Sequence, residues 1–161
     1  MPCLIKVKKM NFQLKNYKKL EEWKYSKKTI VFTNGCFDLL HKGHIDLLAK
    51  ARSLGDVLIV GLNSDVSVKA LKGDKRPIQN QKVRFNNLLK LNSVDLIIIF
   101  EEETPLKLIK KIQPNIIVKG QDYKLKHVVG YNTIKGWGGE VVLVPLTKGY
   151  STTSTIKKNK L

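Results

Sequence analysis

Cysteine is nearly absent from this chain: Cys3 and Cys36 are the only two in 161 residues. Without a CxxC pair they exclude a disulfide framework and a cysteine-built zinc site, and they fit a reducing compartment. No stretch reaches the roughly 20 apolar residues needed to span a bilayer, and 1-MPCLIKVKKM-10 lacks the long apolar core of a secretory signal. The expectation is a cytoplasmic protein with no membrane partner. Arginine is almost as scarce. Of 30 basic residues only Arg52, Arg76 and Arg84 are arginine, in a chain with 13 acids and a net charge of +17. Nucleic-acid readers usually cluster their charge and use arginine forks on bases. Here lysines are scattered from Lys6 to Lys160, which reads as a solvated basic surface compatible with an anionic small substrate; no nucleic-acid partner is expected.

What is present is enough for one ordinary hydrophobic core, with 42% apolar and 27% charged residues. Short runs rich in β-branched residues recur at 29-TIVFT-33, 57-VLIVGL-62, 94-VDLIIIF-100, 115-NIIVK-119 and 140-EVVLVP-145. Nearly every position in them is apolar, the mark of strands buried on both faces. Helical patterns lie between them: Ile45 to Leu54, Val83 to Leu91, and Leu106 to Ile112, the last stopped by Pro114. This alternation predicts an α/β fold, a Rossmann-like parallel sheet of about five strands with helices on both faces. Residues 1–27 read as an N-terminal extension with a leading helix edged by Leu14, Tyr17, Leu20 and Trp23, an appendage or dimer contact; residues 28–161 read as the domain.

One turn concentrates chemistry: 32-FTNGCFDLLHKGH-44 follows the first strand and leads into a helix. In an open parallel sheet ligands bind beyond the carboxyl ends of the strands. Gly35 permits a tight turn, Gly43 sits where the helix begins, and free N–H groups at a helix start attract anions. His41 and His44 fall on one side of that helix start and can both donate to a polyphosphate. A zinc site here would need a third ligand, with Asp38 or Asp46 as the candidates, and no HExxH pattern is present. A cysteine nucleophile would pair Cys36 with His41 or His44, but Cys36 lies between Gly35 and Phe37 in a tight turn that a small residue fits.

The string GCFDLLHKGH resembles the signature loop of the cytidylyltransferase-like nucleotidyltransferases, whose HxGH motif is matched by His41, Gly43 and His44. The serine and threonine cluster that opens the family's last helix is matched by 149-GYSTTSTI-156. Within the superfamily, the signature loop together with 63-NSD-65, 71-LKGDKRPI-78, 101-EEETP-105, 118-VKGQDY-123 and 138-GGEVV-142 is similar to the adenylyltransferase half of the bifunctional ADP-heptose synthases, over roughly residues 28 to 158.

That resemblance implies transfer of AMP from ATP, with Mg2+, to the sugar 1-phosphate D-glycero-β-D-manno-heptose 1-phosphate. It implies that His41, His44 and Lys72 carry catalysis, the lysine from a loop after the second strand. Gly35, Cys36, Phe37, Arg84, Lys119, Gly120, Asp122, Ser151, Thr152 and Thr153 would join the histidines in holding the nucleotide, and Asp38 and Lys69 would meet the acceptor. Asp38 is equally well read as a residue that shapes the turn. No protein-built metal site is expected, since phosphates and water can hold the ion. The resemblance further implies a homodimer, and a separate heptose kinase upstream, because this half is usually fused behind a sugar kinase. Two alternatives remain open at this point: a glycerol-3-phosphate cytidylyltransferase type of enzyme using CTP, and a non-catalytic basic module that binds nucleotide or RNA.

Overall fold

The computed structural model describes residues 15–151 and Ile156. Five parallel strands, β1 (Ile30–Gly35), β2 (Val57–Asn63), β3 (Leu96–Phe100), β4 (Ile116–Gly120) and β5 (Glu140–Val144), stand in the order β3-β2-β1-β4-β5. Helix α1 covers residues 15–25. It is followed by α2 (Lys42–Ser53), α3 (Asp65–Lys72), α4 (Gln81–Leu89), α5 (Leu106–Ile112) and the short α6 (Tyr131–Ile134), which has a 3-10 turn on either side. Among the described residues no helix is long and apolar enough to cross a membrane.

Both faces of the sheet are covered, which is why the strands are apolar at successive positions. Along β1, Ile30 and Phe32 point to a core with Leu20 and Trp23 of α1 and Leu108, Ile109 and Ile112 of α5. Val31 points the other way, to Leu48 and Ala51 of α2 and Leu88 of α4. Phe32, Leu48, Ile59 and Leu88 are fully buried, and each such side chain contributes about 1.5–3 kcal/mol by leaving water. Helix α1 is part of this packing, and its Lys19 and Lys24 reach the carbonyls of Asp95 and Lys111.

Local capping sets the helix ends. The Ser64 hydroxyl accepts from the Ser67 N–H to start α3, and the Asn80 side chain accepts from the Val83 N–H to start α4. Gln113, with φ 51°, ends α5 just before Pro114. Helix α3 was not expected: the region was read as a loop bearing Lys72. Its eight residues include two valines that blur the helical pattern, and the cap at Ser64 together with packing of Val68 onto the core decides the matter.

The strand order reverses between β1 and β4, and there the ladder is short. It pairs Val31 with Ile116 and Phe32 with Ile117. Beyond it side chains bridge the two strands: the Thr33 hydroxyl donates to the Val118 carbonyl and the Lys119 ammonium to the Asn34 carbonyl, each at 2.8 Å. Ligand crevices open at such switch points, outside the carboxyl ends of the strands.

Candidate active site

A cleft of about 980 Å³ opens at that switch point, with the histidine loop in its centre. The loop leaves β1 through two non-glycine residues in left-handed conformation, Phe37 (φ 46°) and Leu39 (φ 56°). This backbone is costly and persists only where surrounding contacts over-determine it. His41 then serves as the N-cap of α2. Its Nδ1 accepts from the His44 N–H and the His44 Nδ1 accepts from the His41 N–H, each at 3.4 Å. The two rings stack with centroids 3.8 Å apart, and Phe37 meets His44 edge-on at 5.4 Å. A side chain at position 43 would collide with this arrangement: its Cβ would lie 2.9 Å from His41 Cε1 and 3.2 Å from Tyr150 Cβ.

The reciprocal cap fixes the chemistry of the pair. A ring nitrogen that accepts an N–H carries no proton, so each neutral imidazole holds its hydrogen on Nε2. Burial disfavours the imidazolium of both residues, and for His44 the neighbouring His41 and Lys72 charges add to it, pushing its pKa down to about 4. At neutral pH the cleft therefore holds two uncharged Nε2–H donors at the start of a 12-residue helix, an arrangement that suits an anion.

Cations face this loop from both sides. Lys72, the last residue of α3, lines the cleft on the β2 side. Lys119 lines it from β4, with its ammonium bonded to Asn34 and 5.3 Å above the Tyr123 ring; burial pushes its pKa down to about 8. Asp122 lines the same wall, as does Ser151 near the end of the described chain. Gly120 stands behind it, where a Cβ would run into Leu146 and lie 2.8 Å from Asp122 Oδ1. The clustered His/Cys/Asp/Glu sets that hold metal ions do not occur among the described residues.

Residues 32–158 match the model of the cytidylyltransferase-like family. The chain belongs to that family. It is a nucleotidyltransferase, and its similarity extends to bifunctional proteins named HldE. That of Nitrobacter winogradskyi is 55% identical over 139 residues, 86% of this chain and 28% of that protein. That of Campylobacter concisus is 53% identical over 154 residues, 93% of this chain and 32% of that protein. The chain thus spans about three tenths of the length of these curated relatives. Among solved structures, a lipopolysaccharide core biosynthesis protein from Thermoplasma volcanium superimposes with a TM-score of 0.63 at 31% identity, covering 77% of this chain and 99% of that one. Pantothenate synthetase from Thermus thermophilus shares the fold at 21% identity, with a TM-score of 0.54 over 81% of this chain and 64% of its own.

In this nucleotidyltransferase five of the expected site residues lie away from the cleft surface: Gly120, behind the wall, and four others, each for a physical reason. Arg84 is fully buried behind the loop. Its guanidinium donates to the carbonyls of Cys36 (2.7 Å), Asn63 (2.8 Å) and Gln79 (2.9 Å) and to the Asp65 carboxylate (2.8 Å). It clamps the ends of β1 and β2 together, where the expectation had it beside the nucleotide. Asp38 is buried too, and it accepts from the N–H groups of Ile78 and Gln79 and from Arg76 Nε at 2.8–3.0 Å. Burial raises its pKa, but these donors outweigh that and hold the carboxyl below its usual range. Of its two expected roles, the geometry gives it the shaping one: it fastens the loop after α3 to the histidine loop.

Phe37 is buried as a support under His44 instead of facing the cleft. Lys69 lies outside the cleft lining, 60% exposed and 3.7 Å from Asp74 on the outer side of α3. His41, His44, Lys72, Gly35, Cys36, Lys119, Asp122 and Ser151 do come together along the cleft. Thr152 and Thr153 lie outside the described residues.

Other lining residues carried no expectation, among them Glu103, Thr104, His127 and Tyr150. The pair at 103–104 sits in the run 101-EEETP-105, which contributed to the family resemblance without a role attached. Tyr150 precedes the serine and threonine cluster and lies 6.2 Å from the His41 ring. Only the topology brings His127, 83 positions after His44 in the chain, to the same cleft.

Proposed function

We propose that this chain transfers AMP from ATP to D-glycero-β-D-manno-heptose 1-phosphate, releasing pyrophosphate. The observation that carries the reading is the His41–His44 pair: two neutral Nε2–H donors held by a reciprocal cap at a helix start. A relative named for lipopolysaccharide core biosynthesis and the HldE proteins support the pathway.

In the reaction, a phosphate oxygen of the sugar 1-phosphate attacks the α-phosphorus of ATP, and the bond from that phosphorus to the β-phosphate oxygen breaks. The attacking oxygen is already anionic, so no general base is required. Catalysis comes from positioning and from donors aimed at the charge that grows on the α-phosphoryl oxygens. His41 and His44 supply those donors, and Lys72 and Lys119 neutralise the phosphates from the two walls. Ser151, with Thr152 and Thr153 after it, would hold the triphosphate, and Asp122 would meet the ribose or base. Magnesium would enter as MgATP, held by phosphate oxygens and water. The need for ATP makes the cytoplasm the place of action.

The test is direct. The purified protein is incubated with Mg2+, with ATP or CTP, and with heptose 1-phosphate or glycerol 3-phosphate, and pyrophosphate release is followed. Turnover with ATP and the heptose 1-phosphate is expected. Turnover only with CTP and glycerol 3-phosphate would replace this reading by the cytidylyl one. Salt-sensitive RNA binding without turnover of any pair would replace it by a binding module.

A further inference from the structure

The segment 101-EEETP-105 has no part in the chemistry above, yet Glu103, Thr104 and Pro105 line the same cleft on its β2–β3 side, together with Asn63 and Lys72. The backbone of this segment is tied to the end of β2. The Ser64 N–H donates to the Phe100 carbonyl at 3.0 Å, and the Ser67 hydroxyl donates to the Glu102 carbonyl at 3.2 Å while accepting from Asn63 Nδ2 at 2.8 Å. The side chains, in contrast, are not used by the fold. Among the described residues neither the Glu103 carboxylate nor the Thr104 hydroxyl has a hydrogen-bond or ion-pair partner. Nor does either cap α5, whose start at Pro105 has no side-chain bond. A fastened backbone thus presents two exposed polar side chains at the wall of the cleft.

The surroundings narrow what they bind. Lys72, Lys119 and Lys148 make the cleft cationic, and Glu103 and Asp122 are its two lining carboxylates among the described residues. A carboxylate repels phosphate and accepts from hydroxyls, two oxygens suiting a vicinal pair. The opposite wall, beyond β4 and β5, offers Tyr123 and Leu146, flat and apolar surfaces fit for a base. In the reaction proposed above the phosphates react at the centre; a base suits the Tyr123 and Leu146 wall, which leaves the other wall to the body of the acceptor.

We infer that Glu103, with Thr104 beside it, determines acceptor specificity by taking the hydroxyls of a polyhydroxylated sugar phosphate, and turns away acceptors that present an anion there. The inference rests on the reaction proposed above. Its test is steady-state kinetics of the full chain and of Glu103→Ala, Glu103→Gln and Thr104→Ala, with ATP and heptose 1-phosphate each varied in turn. Loss of a charged hydrogen bond predicts a KM for the sugar phosphate about tenfold higher or more in Glu103→Ala, a smaller rise in Glu103→Gln and Thr104→Ala, and an unchanged KM for ATP and melting temperature. A sugar-phosphate KM unaltered in all three variants overturns the assignment and leaves the reaction standing; so does a KM for ATP that rises in step with it. Failure of the unaltered chain to turn over ATP with any sugar 1-phosphate overturns both.

Discussion

The imidazoles of His41 and His44 stack at 3.8 Å, and each accepts the other residue's backbone N–H at Nδ1. The pair is therefore both the start of a helix and the donor set of the cleft, and the two duties can be separated. Asparagine is a good N-cap and lacks the imidazole Nε2–H. His41→Asn should keep the melting temperature near that of the unaltered chain while turnover falls about a hundredfold or more. His41→Ala should lose the same activity and about 1 kcal/mol of stability as well. Full activity in His41→Asn would rule out the donor role.

The pH behaviour of His44 follows from its surroundings. Burial first, then the positive His41 and Lys72, hold its pKa at about 4, below the ordinary 6.5. The unfolded chain takes up a proton near 6.5 that the folded chain refuses until about 4. Stability thus falls as pH drops through that window, and His44 makes no difference to it above neutrality. NMR titration of the His44 ring should give a midpoint near 4, and urea unfolding should show a loss from pH 7 to pH 5 that His44→Asn reduces. A midpoint at 6.5 would contradict the buried, neutral pair.

Lys69 and Lys72 lie three residues apart on one helix but face different surroundings, the first toward Asp74 and solvent and the second along the cleft. Lys72→Ala should lower kcat/KM at least tenfold, since it removes a charge facing the reacting phosphates. Lys69→Ala should stay within about twofold, as expected for an exposed pair worth little. The kinetics proposed above, applied to both variants, check this; equal losses would show that Lys69 reaches the acceptor.

Arg84 binds three carbonyls and a carboxylate from within the core. Arg84→Met would leave the carbonyls of Cys36, Asn63 and Gln79 without a donor and Asp65 without its cation. The Asp65 carboxylate is 39% exposed, so the main loss lies in the buried carbonyls, at about 1–3 kcal/mol for a group left unsatisfied, and denaturant unfolding should show a loss of at least that size. Arg84→Lys, a point charge in place of a fork, should recover only part of it. A neutral effect would mean that the clamp is dispensable.

All five strands and the helices after β1, β3 and the 71–80 region were legible in the sequence. A strand buried on both faces needs an unbroken apolar run such as 57-VLIVGL-62, and helices between such runs enforce parallel pairing. The HxGH turn was legible because glycine, helix start and imidazole are local requirements that must appear close together in the chain. Lys72, by contrast, was read into a loop, since α3 is short and rich in valine and owes its form to a cap and to packing.

The sequence alone thus determined the layered α/β architecture and the central histidine turn, because both depend on residue type and on neighbours a few positions away. Only the tertiary structure decided which charged side chains line the cleft and which are taken up by the fold. Arg84 and Asp38 look in the sequence like groups for a substrate, but acceptors and donors that lie 5 to 48 positions away in the chain claim them first. Glu103 looks like one of three surface acids, and the tie from Ser67 to Glu102 brings it to the wall of the cleft. Charge and hydrogen-bonding capacity are written in the chain, whereas the partner each group meets depends on the distances that folding creates.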